Sequence, residues 1–367
     1  MELSINTEVL SKLLQRVSGI KGKMVPILSH VLLEARKEGT FVVSASDLEV
    51  GMRVTTNEGI EIAVPGGIAV RADQFREIVK HIPGEEVRLE VLDGLRLEIT
   101  SGDFVSRIAG RDREEFPQID GKEKGMKSFS LHAEDLKAFI NSCAHSMMSG
   151  DETKYHLCGI HLQCEKAQGN LTAVATDGHR LSLASRAFDD LPALVVTVPR
   201  KGVEELLKLD SYDMVGFHVG KNSMEVIQRG TFISIRLVEG DFPAYRKGIP
   251  SAYSDYCTVN RSNLIEAVNR VRLFSSRNSI VLEIGAVTIS LRASKELDEG
   301  SDCVACETKG CPLTIKMDAR YFLDALSSFD CAEILLKYGD GFSPLVMLPA
   351  DFGQWDERLA VLAAQRL

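Results

Sequence analysis

Six times along this chain, apolar residues recur at i, i+3, i+4 and usually i+7, the one-sided stripe of a short amphipathic helix. The sets are Leu10/Leu13/Leu14/Val17, Phe75/Ile78/Val79/Ile82, Leu136/Phe139/Ile140/Cys143, Val203/Leu206/Leu207, Leu264/Ala267/Val268/Val271 and Phe322/Ala325/Leu326/Phe329. Their order carries the larger message. Leu10, Leu136 and Leu264 are spaced by about 126 and 128 residues, and Phe75, Val203 and Phe322 by about 128 and 119. A two-helix unit is therefore written three times. The period is domain-sized and too long for a solenoid repeat.

Strand-like alternation surrounds each pair of stripes. Short strands at 3–5, 129–131 and 257–259 open the copies. Runs at 31–46, 158–185 and 279–293 lie between the helices, and 87–99, 215–235 and 334–348 close them. The outline is β-α-βββ-α-βββ, an α+β unit of two helices backed by antiparallel sheets. A closing phrase repeats as well: Arg111-Asp-Arg-Glu-Glu-Phe-Pro117 is answered by Val238-Glu-Gly-Asp-Phe-Pro243. Three domains are expected at 1–122, 128–250 and 256–350, with a polar linker at 121–125. Residues 351–367 remain as a C-terminal extension, and the helix formers after Trp355 predict a short helix there.

Composition changes this picture little. The chain is 44% apolar and 26% charged, ordinary for a globular protein, and has no apolar run of membrane-spanning length. The start Met-Glu-Leu-Ser-Ile lacks the basic and apolar regions of a signal peptide, so a cytoplasmic protein is expected. A net charge of −9 argues against nucleic-acid binding over the whole surface and leaves a local basic face open. The eight cysteines are dispersed, which suits free thiols; Cys143, Cys158 and Cys164 read as small buried hydrophobes. Cys303-x-x-Cys306 with Cys311 lacks a fourth ligand at zinc spacing, so no metal is assigned.

Candidate chemistry is sparse. No phosphate loop, dinucleotide fingerprint, H-E-x-x-H or G-x-S-x-G occurs, so no cofactor and no catalytic residue is assigned. Asp177-Gly-His-Arg180 gathers an acid, an imidazole and a guanidinium in one turn. A four-residue turn without a nucleophile cannot form a catalytic relay. It reads as a strand-to-strand turn, or as a binding turn that presents His179 and Arg180.

The sequences Thr176-Asp-Gly-His-Arg-Leu181, Val198-Pro-Arg-Lys-Gly202 and Gly240-Asp-Phe-Pro-Ala-Tyr-Arg246 carry a specific likeness. Over residues 1 to about 350 the chain resembles the bacterial replicative sliding clamp, the beta subunit of DNA polymerase III. The resemblance implies a head-to-tail homodimeric ring, a non-catalytic processivity factor of the DNA-directed DNA polymerase complex. The ring would encircle double-stranded DNA without sequence specificity in the nucleoid. Two helices per domain would line its bore, with Lys12, Arg16, Arg76 and Lys80 among the bore residues, interleaved with Glu8 and Asp73. Such a mildly basic bore suits sliding.

The resemblance also implies partners. An ATP-driven clamp loader would open the ring. The replicative DNA polymerase, other polymerases and repair proteins would dock short linear motifs into an apolar pocket. That pocket would comprise Leu157, Thr176, Gly178, His179, Arg180, Leu181 and Pro243, completed by Val346, Leu348 and Pro349 on the terminal strand. Lys154, Tyr155, His156, Arg200, Lys201 and Arg246 would face DNA. Leu273 and Phe274 of one chain would meet Phe104 of the other at the dimer contact. Two departures from the family stand out: Gly248 replaces an aliphatic residue, and 351–367 continue past the terminal strand. A three-domain scaffold that does not encircle DNA is the alternative.

Overall fold

The computed structural model describes the chain except for residues 23–24, 120–122, 124, 151, 166–168, 190 and 367, together with the side chains of 152 and 153. The predicted linker at 121–125 lies largely outside the described residues. Copy one runs β1 (Glu2–Asn6), α1 (Thr7–Val17), β2 (His30–Ala35), β3 (Phe41–Ser46), β4 (Val50–Thr56), β5 (Ile60–Val64), β6 (Gly66–Arg71), α2 (Ala72–Lys80), β7 (Glu86–Leu92), β8 (Arg96–Ser101) and β9 (Phe104–Arg111). Copy two runs β10 (Lys127–His132), α3 (Ala133–Cys143), β11 (Gly159–Glu165), β12 (Asn170–Thr176), β13 (Arg180–Ala187), β14 (Leu194–Pro199), α4 (Arg200–Leu206), β15 (Met214–Val219), β16 (Ser223–Gln228) and β17 (Thr231–Arg236). Copy three runs β18 (Asp255–Asn260), α5 (Arg261–Val271), β19 (Ser279–Ile284), β20 (Thr288–Lys295), β21 (Asp298–Lys309), β22 (Leu313–Asp318), α6 (Ala319–Ser328), β23 (Glu333–Tyr338), β24 (Leu345–Pro349) and β25 (Glu357–Leu362).

The six helices fall on the six stripes. Leu10, Leu14 and Val17 are buried in α1, Leu264, Ala267, Val268 and Val271 in α5, and Phe322, Ala325 and Leu326 in α6. Side-chain caps start three of them: Asn6 Oδ1 accepts from the backbone of Glu8 at 3.0 Å and Val9 at 3.2 Å, while Asn260 and Asp318 cap α5 and α6.

Two expectations are corrected. Among the described residues, the stretch between the helices holds four strands in copies two and three and five in copy one, because β6, β14 and β22 run directly into the second helix. The C-terminal segment is not a helix. Its middle is β25, which pairs antiparallel with β13 and β24. Copies one and two each close with three strands, and β25 is the third closing strand of copy three. The closing strands of copy three therefore include β25, inside the segment expected as an extension. Strand pairing on both sides outweighs the intrinsic helix preference of Leu and Ala.

The described residues form two compact units, 1–133 with 204–237 and 134–203 with 238–367. The first unit's strands run β10-β15-β16-β17-β4-β3-β2-β6-β9-β8-β7-β1-β5. The second's run β14-β11-β12-β13-β25-β24-β23-β18-β21-β20-β19-β22. The middle copy thus gives strands to both units, so unit and repeat do not coincide.

Candidate peptide-binding face and DNA-facing loop

The second unit builds the candidate pocket from strand register. Thr176 stands opposite Leu181, Leu181 opposite Val361, and Val361 opposite Val346. Directly paired residues share a face, so these four side chains form one row across β12, β13, β25 and β24. Val174, Leu183 and Leu359 form the next row, and Thr172, Ser185 and Glu357 a polar third. The face grades from apolar to polar. Phe242, Tyr245, Ile249, Tyr253 and Leu348 pack against the cluster of Val174, Leu181, Leu183, Val346, Leu359 and Val361.

The 176–181 turn frames the apolar end. Gly178 has φ +88°, a backbone that suits glycine. Asp177 Oδ1 accepts from the backbone of His179 at 2.9 Å and of Arg180 at 3.0 Å. Arg180 donates from Nε to Asp177 Oδ2 at 3.0 Å and from Nη1 to Asp324 at 2.7 Å. Its guanidinium lies 4.1 Å from the Tyr321 ring centre, the range of a cation–π contact. The turn is thereby clamped to α6, and the His179 carbonyl accepts from Ala363 just beyond β25.

The structure brings Thr176, Gly178, His179, Arg180, Leu181, Val346 and Leu348 together, with Leu157 buried at the end of the 152–157 turn. Pro349 is corrected. It stands opposite Ile334, whose side chain belongs to the core of copy three on the other face of the sheet. Sequence reasoning missed Leu359 and Val361. Their alternation across Ala360 was the available signal. Pro243 is exposed and lines a cavity of about 660 Å³ at the polar end of the face, with His161, Gln163, Thr172 and Tyr245. Gly248 is exposed, and a side chain there would meet nothing within 4 Å.

The DNA-facing candidates separate into two places. Lys154 and Tyr155 are exposed on the 152–157 turn, beside His156. Arg200 donates to the Met147 carbonyl at 3.0 Å and the Met148 carbonyl at 3.1 Å; Met148 N in turn donates to Leu157 O. Arg200 is thus tied to this loop, and Lys201 follows it as an exposed residue. Arg246 stands apart. It grips Glu357 through both carboxylate oxygens at 2.7 and 2.8 Å, beside the 660 Å³ cavity. Several helix-borne cations have acidic partners on their own helix, as in Lys12–Glu8 at 2.6 Å and Arg76–Asp73 at 3.5 Å. Such exposed pairs hold little energy and temper the positive field.

The described residues contain no group of three or more His, Cys, Asp or Glu that could hold a metal ion, and no helix long and apolar enough to cross a membrane. Leu273 is 76% exposed, Phe274 38% and Phe104 37%, so none of the three completes its own core.

A threefold α+β repeat of helices and antiparallel sheets is the architecture of a clamp-type protein, and its candidate site is an apolar strand row packed under Phe242, Tyr245 and Tyr253. Residues 1–120, 130–244 and 246–354 match the N-terminal, central and C-terminal domain models of the DNA polymerase III beta subunit. The chain is 31% identical over 355 residues to the beta sliding clamp of Proteus mirabilis, covering 94% of each. It is 29% identical over 352 residues to that of Escherichia coli K12, again covering 94% of each. A Pseudomonas aeruginosa DNA polymerase sliding clamp matches with a TM-score of 0.91 at 27% identity, over the full length of both chains. The Bacillus subtilis clamp shares the fold, with a TM-score of 0.93 at 24% identity, over 100% of this chain and 99% of that one. The chain belongs to the DNA polymerase III beta subunit family. It is a sliding clamp of DNA replication and a non-catalytic subunit.

Proposed function

We propose that this sliding clamp closes as a head-to-tail ring of two chains around duplex DNA and tethers polymerases by a short peptide held on the Leu181–Val361–Val346 row. The observation that carries the pocket reading is the register itself. It sets Leu181, Val361 and Val346 side by side, next to a turn clamped by Asp177 and Arg180. An apolar row with a few convergent polar groups suits Leu or Phe anchors of a linear motif. Tethering raises the local concentration of polymerase at the primer end without any chemistry.

Two sheet edges support the ring. Phe104–Ala109 of β9 pair with β8 alone, and residues 298–305 of β21 pair with β20 alone, among the described residues. Unpaired edges seek a strand. On the first edge Arg107 is exposed and held by Glu98, while exposed Asp298 and Glu299 lie on the second. The three domains of each chain follow the repeat. Loading falls to an ATP-driven partner, since the sequence has no phosphate loop, and the working place is the cytoplasm at the nucleoid.

The test is retention. The native chain loaded on a nicked circular plasmid should co-elute with it and be released when the circle is linearised. Leu181→Asp should keep retention and lose binding of a polymerase-tail peptide. Loss of the clamp on intact circles refutes the ring. Native peptide affinity in the variant refutes the pocket.

A further inference from the structure

The ends of β2, β6 and β9 place three nitrogen-bearing side chains on one sheet face. His30 stands opposite Arg71, and Arg111 stands opposite Ala69, two residues before Arg71 on the same strand. Paired positions and positions two apart share a face, so the three side chains are neighbours. All three line a cavity of about 640 Å³ with Pro26, Ser29 and Glu115.

Two guanidiniums so placed repel each other, and the local answer is incomplete. Glu115 engages Arg111 at 3.0 Å. Asp73, two residues beyond Arg71, is engaged by Lys21 and Arg76. The Arg71 side chain forms no hydrogen bond or close ion pair among the described residues, and Asp73, already held by Lys21 and Arg76, reaches it only as a nearby charge. His30 is 8% exposed, and its Nδ1 lies 3.0 Å from the Pro26 carbonyl, which leaves Nε2 as the other ring nitrogen. Burial first, then Arg111 and Arg71, hold its imidazole below the ordinary range.

The fold does not require this charge. Register places Gly159 opposite Pro199 at the same station of copy two, and Ser279 opposite Asp318 in copy three. The basic pair belongs to copy one alone.

We propose that this face binds a phosphate oxyanion between Arg71 and Arg111, with His30 as a third donor. Planar guanidinium forks match the oxygens of a tetrahedral anion, and an imidazole that gains a proton beside it adds a further charge-assisted bond. The anion is either free phosphate or a phosphate of the DNA backbone. The site's chemistry stands without the ring reading, and only DNA as the source rests on it.

The test uses the full chain and inorganic phosphate, followed by ³¹P line broadening at constant ionic strength, and a short duplex, followed by anisotropy. The chains are wild type, Arg71→Gln/Arg111→Gln and, as a control outside the cavity, Arg88→Gln. Broadening should occur in wild type and the control and weaken at least about tenfold in the double variant. Displacement of phosphate by the duplex assigns the site to DNA backbone; no displacement assigns it to free phosphate. No broadening, but duplex binding weakened tenfold in the double variant alone, also assigns it to DNA. Equal behaviour of the double variant and the control with both ligands overturns the site. Plasmid retention by the double variant tells this result apart from a failure of the ring reading.

Discussion

His145 lies on the opposite side of β13 from Leu181, with Nε2 2.9 Å from Ser182 Oγ and Nδ1 buried without a hydrogen-bond partner. Burial, then the nearby Arg180, pushes its imidazole down to about 4. His161, stacked on Phe242 at 4.5 Å, is pushed by burial to about 4 as well. Both stay neutral in the folded chain while the unfolded chain takes up protons below about 6.5. Folding stability is therefore full above pH 6.5 and lost as pH falls from there towards 4, by up to about 3 kcal/mol per histidine. Urea midpoints at pH 7.5 and 5 should show this loss. His145→Gln should reduce the pH dependence, and an unchanged difference between the two midpoints would contradict a neutral buried imidazole. Asp177→Ala offers a second residue-scale test. It removes two backbone acceptances and half of the Arg180 clamp, and should cost about 1–3 kcal/mol by denaturant melt. The Asp177–Arg180 turn was legible as a turn because Gly follows Asp. Its tie to Asp324, 144 residues away from Arg180, was not, since no local pattern encodes so distant an ion pair.

Elements were most legible where a periodic stripe met a cap, as in α1 behind Asn6. They were least legible where propensity and pairing disagreed. The segment Glu357-Arg-Leu-Ala-Val-Leu362 contains good helix formers, yet it lies between β13 and β24 and contributes Leu359 and Val361 to the pocket face. The threefold repeat held the correction, because two copies with three closing strands call for a third. The consequence is concrete. Deleting 351–367 removes an interior strand of the second unit's sheet and uncovers Leu183, which is 1% exposed. It also removes Trp355, packed edge-on to Phe139 with ring centres 4.8 Å apart. The truncated chain should lose the cooperative melt of its second unit and become insoluble. A folded truncation with native peptide affinity would mean that β25 is dispensable.

For the whole molecule, the repeat was readable at once, but the number of chains in the ring was not, because no residue pattern within one chain counts subunits. The surface around Leu273 bears on where a contact between chains would form. A leucine 76% exposed directly after α5, beside a partly exposed Phe274 packed over Gly300, satisfies no core of its own. In the proposed ring, another chain would bring Phe104 and Val105, the latter 53% exposed, against them. Central apolar anchors typically contribute about 2 kcal/mol or more to an interface, so Leu273→Ala with Phe274→Ala should weaken dimerisation at least about thirtyfold. Sedimentation equilibrium reads that change. The outcome that distinguishes an interface from ordinary packing is the melt of the dilute monomer. Leu273→Ala alone should shift it by less than about 0.5 kcal/mol, as for an exposed residue, while dimerisation falls. A destabilised monomer with undiminished dimerisation would assign Leu273 to its own domain and move the ring contact elsewhere. If the contact lies here, the double variant should fold, bind the polymerase-tail peptide through the Leu181 row, and slip from circular DNA. One chain would then keep the peptide row and lose the ring, because the proposed row lies within a single unit while the proposed closure needs two chains.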